Sequence, residues 1–125
     1  MFNYKPYRYT KGENTALDAD FASAAVYEKI RAGKNHIFWK SGLRWHFIPL
    51  EGLQRIYRRV EQVQGRLCCG GQNFIIHWLV LDLSDGSELV MHIGDDVVGT
   101  VVRDQADALL AALKLSHPQI QYGKA

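Results

Sequence analysis

The residues best able to do chemistry in this chain are an adjacent cysteine pair, Cys68-Cys69, and the histidines His36, His46, His77 and His92. Vicinal thiols differ from the C-x-x-C arrangement that tunes a redox couple, and bridging neighbours requires a strained peptide. Two small, partly buried residues at a bend is the reading that fits. A thiolate metal site would need further ligands, and no histidines stand at H-x-x-x-H spacing. His77 and His92 flank the stretch Ser84-Asp85-Gly86-Ser87 almost symmetrically, so a hairpin there would bring them together if its register allowed. Cys68, Cys69, His77 and His92 therefore define one alternative, a small metal- or thiol-dependent enzyme. Otherwise the histidines are structural. No G-x-S-x-G elbow surrounds any serine, Gly70-Gly71 lacks the lysine and following helix of a P-loop, and the paired carboxylates Asp95-Asp96 belong to a solvated turn. With no residue pattern supporting catalysis, the chain reads as a non-enzyme with no cofactor and no metal.

The cations offer a second kind of chemistry. Fifteen Lys and Arg oppose thirteen Asp and Glu, a formal charge of +2, yet residues 1–66 hold twelve bases against six acids and residues 67–125 three against seven. Lys40, Arg44, Arg55, Arg58 and Arg59 are the candidate binding residues, a basic face for an acidic protein partner or for the acidic part of a second copy. The opposing reading is that both halves mix in one sheet and the charges pair at the surface, with little effect on stability. Arg44, Arg55, Arg58 and Arg59 near Trp45 and Tyr57 also suggest an anion- or nucleic-acid-binding alternative, which so small a net charge disfavours.

Elements must position these groups. Residues 1–14, with Pro6 and Lys11-Gly12-Glu13-Asn14 as breakers, read as an N-terminal arm. Leu17, Phe21, Ala24 or Ala25, Val26 and Ile30 recur at spacings of three and four, which predicts a helix over 15–31, with Asp18 and Asp20 near its positive end. The period then becomes two. Strands are expected at 36–40 and 43–48, joined at Ser41-Gly42 and ended by Pro49. Residues 53–64 fit either a strand or a helix with the stripe Leu53, Ile56, Tyr57 and Val60, and their place among strands favours the former. Further strands are expected at 74–83 and 88–93, then a turn at Gly94-Asp95-Asp96 and a short strand at 97–102. A closing amphipathic helix runs from Arg103 or Asp104 to Ser116 on Ala106, Leu109, Leu110 and Leu113, and Pro118 biases His117 out of helical geometry.

Length and texture predict a single domain over 15–125 after the arm. The fold class is α+β, an antiparallel, curled sheet or open barrel with an N-terminal helix and a C-terminal amphipathic helix. The start has no apolar core or cleavage site of a signal peptide, and no apolar run reaches membrane-spanning length, so a cytoplasmic protein with no membrane partner is expected.

The hairpin Ile37-Phe38-Trp39-Lys40 into Leu43-Arg44-Trp45-His46-Phe47-Ile48-Pro49-Leu50, the turn at Asp85-Gly86 and the helix ending Leu115-Ser116-His117-Pro118 resemble the pleckstrin-homology-like barrel, in particular small bacterial proteins of that fold. The resemblance covers residues 36 to 123 and implies a binding platform. Ser41-Gly42 is too short for the phosphoinositide-binding loop, so lipid binding is not implied. The expected function is a non-catalytic binding or assembly module whose partner is a protein or itself, as a homo-oligomer through a sheet edge or the C-terminal helix.

Overall fold

The computed structural model describes residues 7–64 and 73–123. The fold is α+β, with two largely antiparallel sheets and two helices; in place of the curled sheet or open barrel expected from the sequence, the strands divide after Pro49 into two separate, uncurled sheets. The elements are β1 (Tyr7–Tyr9), α1 (Thr15–Ser23), β2 (Ala25–Tyr27), β3 (Ile30–Ala32), β4 (His36–Ser41), β5 (Arg44–Pro49), β6 (Leu53–Gln64), β7 (Asn73–Leu83), β8 (Glu88–Asp96), α2 (Val101–Ser116) and β9 (Gln121–Tyr122). The first sheet has the order β1-β5-β4-β3-β2 and the second β8-β7-β6-β9.

Period-two hydrophobicity places one face of each sheet inside. Ile30, Ile37, Trp39 and Ile48 from the first sheet meet Ile56, Leu79, Leu81, Met91 and Ile93 from the second. Val102, Ala106, Leu109 and Leu113 of α2 close the same core; their spacings of four and three make a single helical stripe. Truncating Leu109, fully buried here, would cost about 2–5 kcal/mol. The strand reading of 53–64 holds, with β6 paired along its length to β7.

The helix expected over 15–31 ends at Ser23. Ala24 is already extended, at φ −68° and ψ 141°, and Ala25–Tyr27 and Ile30–Ala32 form a hairpin. Val26 and Ile30 have helical spacing, but Ile30 also stands opposite Trp39 on β4, where it is fully buried. Tertiary pairing wins over local period here. The N-cap is Asn14, whose Oδ1 accepts from the Leu17 N–H at 3.1 Å. Tyr7–Tyr9, expected within the arm, pairs with β5.

Helix α1 covers the other face of the first sheet. Tyr9, Leu17 and Phe38 are buried there with Phe21, Trp45 and Phe47 around them. Tyr9 stacks on Phe21 at 4.7 Å, and the Arg31 guanidinium lies over the rings of Phe21 and Trp45 at 4.4 and 5.1 Å. Burial, then the hydrogen bond its hydroxyl donates to Asp18 Oδ1 at 2.6 Å, then the nearby negative charge push the Tyr9 phenol up to about 12. Its raised pKa means that its contribution to stability is present below the ordinary value of 10 and is lost as pH rises through about 12. Ultraviolet titration should therefore resolve a tyrosine that titrates near 12 and that Tyr9→Phe removes; a titration curve unchanged by the substitution would count against the packing of α1 on this sheet.

Two further expectations are corrected at α2. Residues 94–96 belong to β8 instead of forming a turn, and 97–102 form a turn and the first residues of α2 instead of a strand. Gly99, at φ +84°, takes a left-handed conformation in that turn. Asp96 also draws the chain into a helix, as described below.

Candidate functional site

The five candidate cations do not share one face. Lys40 and Arg44 lie either side of the β4–β5 turn, where Lys40 stands opposite Trp45 and Arg44 opposite Ser41. Neighbouring positions on a strand face opposite ways, so Lys40 follows Trp45 and Phe47 while Arg44 follows His46 and Ile48. Arg55, Arg58 and Arg59 are on β6, in the other sheet. Arg55 donates to the Gly123 carbonyl at 2.7 Å and to Gln121 Oε1 at 2.6 Å, tying down β9. Arg58 reaches Asp107 of α2 at 2.9 Å. This is charge pairing between the basic and acidic parts of the sequence, at a half-exposed position where it contributes no more than about 1 kcal/mol. Arg59 is exposed. What sequence reasoning missed is that Arg44 joins Arg8 and Lys11 around a groove of about 390 Å³ beside Tyr9 and Trp45. The signal for that was the interleaving of bases and aromatics in the first residues.

His77 and His92 are likewise kept apart. Trp78 pairs with His92 and His77 with Gly94, across a bulge, which sends the two imidazoles to opposite faces of the second sheet. Among the described residues, no group of three His, Cys, Asp and Glu side chains is placed to hold a metal ion. Cys68 and Cys69 lie outside the described residues.

Three of the histidines, His36, His77 and His92, instead each serve a carboxylate, whereas His46 stacks on Trp39. His77, 2% exposed, donates from Nε2 to Asp96 Oδ2 at 2.9 Å, and its Nδ1 has no hydrogen-bond partner. Asp96 also accepts from the backbone N–H groups of Val102 at 2.9 Å and Arg103 at 3.0 Å. It thereby satisfies two of the orphan donors that begin every helix, a task the N-cap side chain of Thr100 does not perform. Burial alone would raise the Asp96 carboxyl, but those two N–H donors and His77 outweigh it, and its pKa lies below the ordinary value. Asp20, buried on α1, is built alike. It accepts from Lys34 N at 2.6 Å, Asn35 N at 3.1 Å and His36 Nδ1 at 2.8 Å. These joints attach α2 to β8 and α1 to the β3–β4 loop.

The surface holds two better candidates for binding. One is an apolar groove of about 660 Å³ between α2 and β9, lined by Ala111, Lys114, Leu115, Pro118, Ile120 and Tyr122. Tyr122 donates from its hydroxyl to the His117 carbonyl at 2.9 Å, and burial raises its pKa. Strand β9, not anticipated from the sequence, pairs parallel to β6 and is the edge of its sheet. The other is a cleft of about 270 Å³ between the sheets, where Trp39, Trp78, Lys29 and Lys40 meet. No protein-family model matches the chain, and neither a curated protein nor a solved structure matches it. Among the described residues no helix is long and apolar enough to cross a membrane.

Proposed function

We propose that this protein is a non-catalytic binding module of pleckstrin-homology-like type that assembles with a second copy of itself through the groove between α2 and β9. The observation that carries this reading is Leu115, which stands 87% exposed on the rim of the 660 Å³ apolar groove. A projecting apolar side chain beside an apolar recess makes a self-complementary patch: under a two-fold axis each copy's Leu115 enters the other's groove. The edge of β9 alongside is open to the same partner. The order of antiparallel strands β4 to β8 followed by an amphipathic helix supports the pleckstrin-homology-like reading, whereas the hairpin of β2 and β3 and the parallel β9 are additions to it.

Sedimentation velocity over a wide concentration range tests the assembly. A dimer that Leu115→Glu converts to a monomer, with the melting temperature of that monomer's fold preserved, is the expected result. A wild-type chain that stays monomeric at its solubility limit overturns the reading. Tyr122→Ala should weaken the dimer as well, because Tyr122 walls the same groove.

A further inference from the structure

We infer that the cleft between the two sheets is a binding site for a small planar anion, a single ring system bearing a phosphate or a carboxylate. This site is separate from the dimer groove and does not depend on it.

Three features converge on the cleft. The first is its apolar surface. Trp39 comes from β4 and Trp78 from β7, with Val90 and Met91 of β8 beside them, in a space of about 270 Å³. Each indole is backed by an imidazole, Trp39 by His46 at 5.7 Å in a stacked arrangement and Trp78 by His92 at 5.2 Å. Trp39 is 6% exposed and belongs to the core, so the half-buried Trp78 is the ring able to meet a flat ligand. The volume admits one substituted ring system and is small for a dinucleotide.

The second is charge. Lys29 Nζ lies 3.1 Å from His92 Nδ1, and His92 Nε2 lies 2.7 Å from Asp95 Oδ1. An ammonium can only donate, so Nδ1 accepts from Lys29 and the N–H on Nε2 is given to Asp95. Lys29 spends one N–H on His92 and keeps two. Among the described residues neither Lys29 nor Lys40 has a carboxylate partner. Of the acids near the cleft, Asp95 is engaged by His92, and Glu61 accepts from Trp78 Nε1 at 3.4 Å. Lys29 thus brings to the rim of an aromatic cleft an ammonium with no carboxylate partner among the described residues, a group suited to the head of an anionic ring.

The third is backbone geometry. Lys29 is presented by the tight β2–β3 turn, in which Glu28 has φ +56°. Glu28 is the one non-glycine with positive φ among the described residues, the conformation that the first position of a two-residue hairpin turn demands. The Lys40 N–H donates to the Lys29 carbonyl at 3.2 Å, so the two ammonium-bearing residues are fixed to each other through the backbone.

The test uses the whole chain and four probes: adenosine monophosphate, 1-naphthoate, adenosine and inorganic phosphate. Calorimetry should show both planar anions binding and competing with each other, the neutral nucleoside and the bare anion each weaker by about tenfold or more. A further probe, 1-naphthyl phosphate, which keeps the naphthoate ring and carries the nucleotide's head group, then separates a preference for phosphate from one for carboxylate. The indole N–H signals of Trp39 and Trp78 should move on binding while that of Trp45 stays. Lys29→Ala, on an exposed turn, should reduce affinity about tenfold with an unchanged melting temperature, and Trp78→Leu should do the same through the ring. Arg44→Ala should leave binding intact. No binding of either planar anion overturns the inference, as does phosphate binding as tightly as the nucleotide, or affinity lost with Arg44 instead of Lys29.

Discussion

Replacing Asp96 with alanine should destabilise the fold by about 3 kcal/mol and lower its melting temperature by roughly 10 °C. Two separate losses add. The N–H groups of Val102 and Arg103 lose their acceptor, a helix-capping loss worth about 1 kcal/mol or more. His77, buried and with Nδ1 already unpartnered, then has neither ring nitrogen satisfied, which costs about 1–3 kcal/mol. Circular-dichroism melts of the two proteins give the difference directly. The effect should also depend on pH in a known direction. A carboxyl whose pKa is lower folded than unfolded stabilises the fold at pH above its ordinary value, 3.8 here, and that contribution disappears as pH falls through the depressed folded value. The gap between wild type and Asp96→Ala should therefore be full at neutral pH and shrink in strong acid. A melting temperature unchanged by the substitution would show that α2 does not rely on this cap.

The second large effect is expected at Gly33, for reasons of space. Its backbone lies outside the left-handed region, yet a Cβ there would come within 2.6 Å of Asp20 Oδ1 and 2.7 Å of its Cγ and Oδ2. A side chain so close could usually swing aside. Asp20 is short, buried and held by Lys34 N, Asn35 N and His36 Nδ1, so moving it breaks several bonds at once. Gly33→Ala should cost about 2–4 kcal/mol. A double-mutant cycle isolates the cause. Asp20→Ala alone is destabilising, but adding Gly33→Ala to it should cost almost nothing, since the clash has gone. Strict additivity would place the strain elsewhere.

Much of the second sheet and the closing helix were legible because long elements average over local accidents. β7 holds eleven residues in a near-continuous apolar run, and α2 holds sixteen with an unambiguous helical stripe. Short elements were not. Val26 and Ile30 satisfy a helical stripe and a hairpin equally well, and only the presence of Trp39 across the ladder decides between them. Residues 97–102 look like a β-branched strand until the Asp96 carboxylate is seen collecting the first amides of α2. The two Asp–His joints span 16 and 19 residues, so no local motif marks them. The candidate cations were legible as a list but not as a surface. The change from one sheet to the other after Pro49 separates Lys40 and Arg44 from the arginines of β6, and Arg58 turns out to be a link to α2.

The sheets also follow one another in the order of synthesis. Every strand of the first lies within residues 7–49 and every strand of the second within 53–122. A ribosome therefore releases the complete first sheet, with α1 able to cover one side, well before anything exists to cover the other. Ile30, Ile37, Trp39 and Ile48 remain wet until β7, β8 and α2 have been made. The nascent N-terminal half is thus the sticky species on the folding route, and slow elongation just after residue 49 prolongs its exposure to chaperones and to other nascent copies.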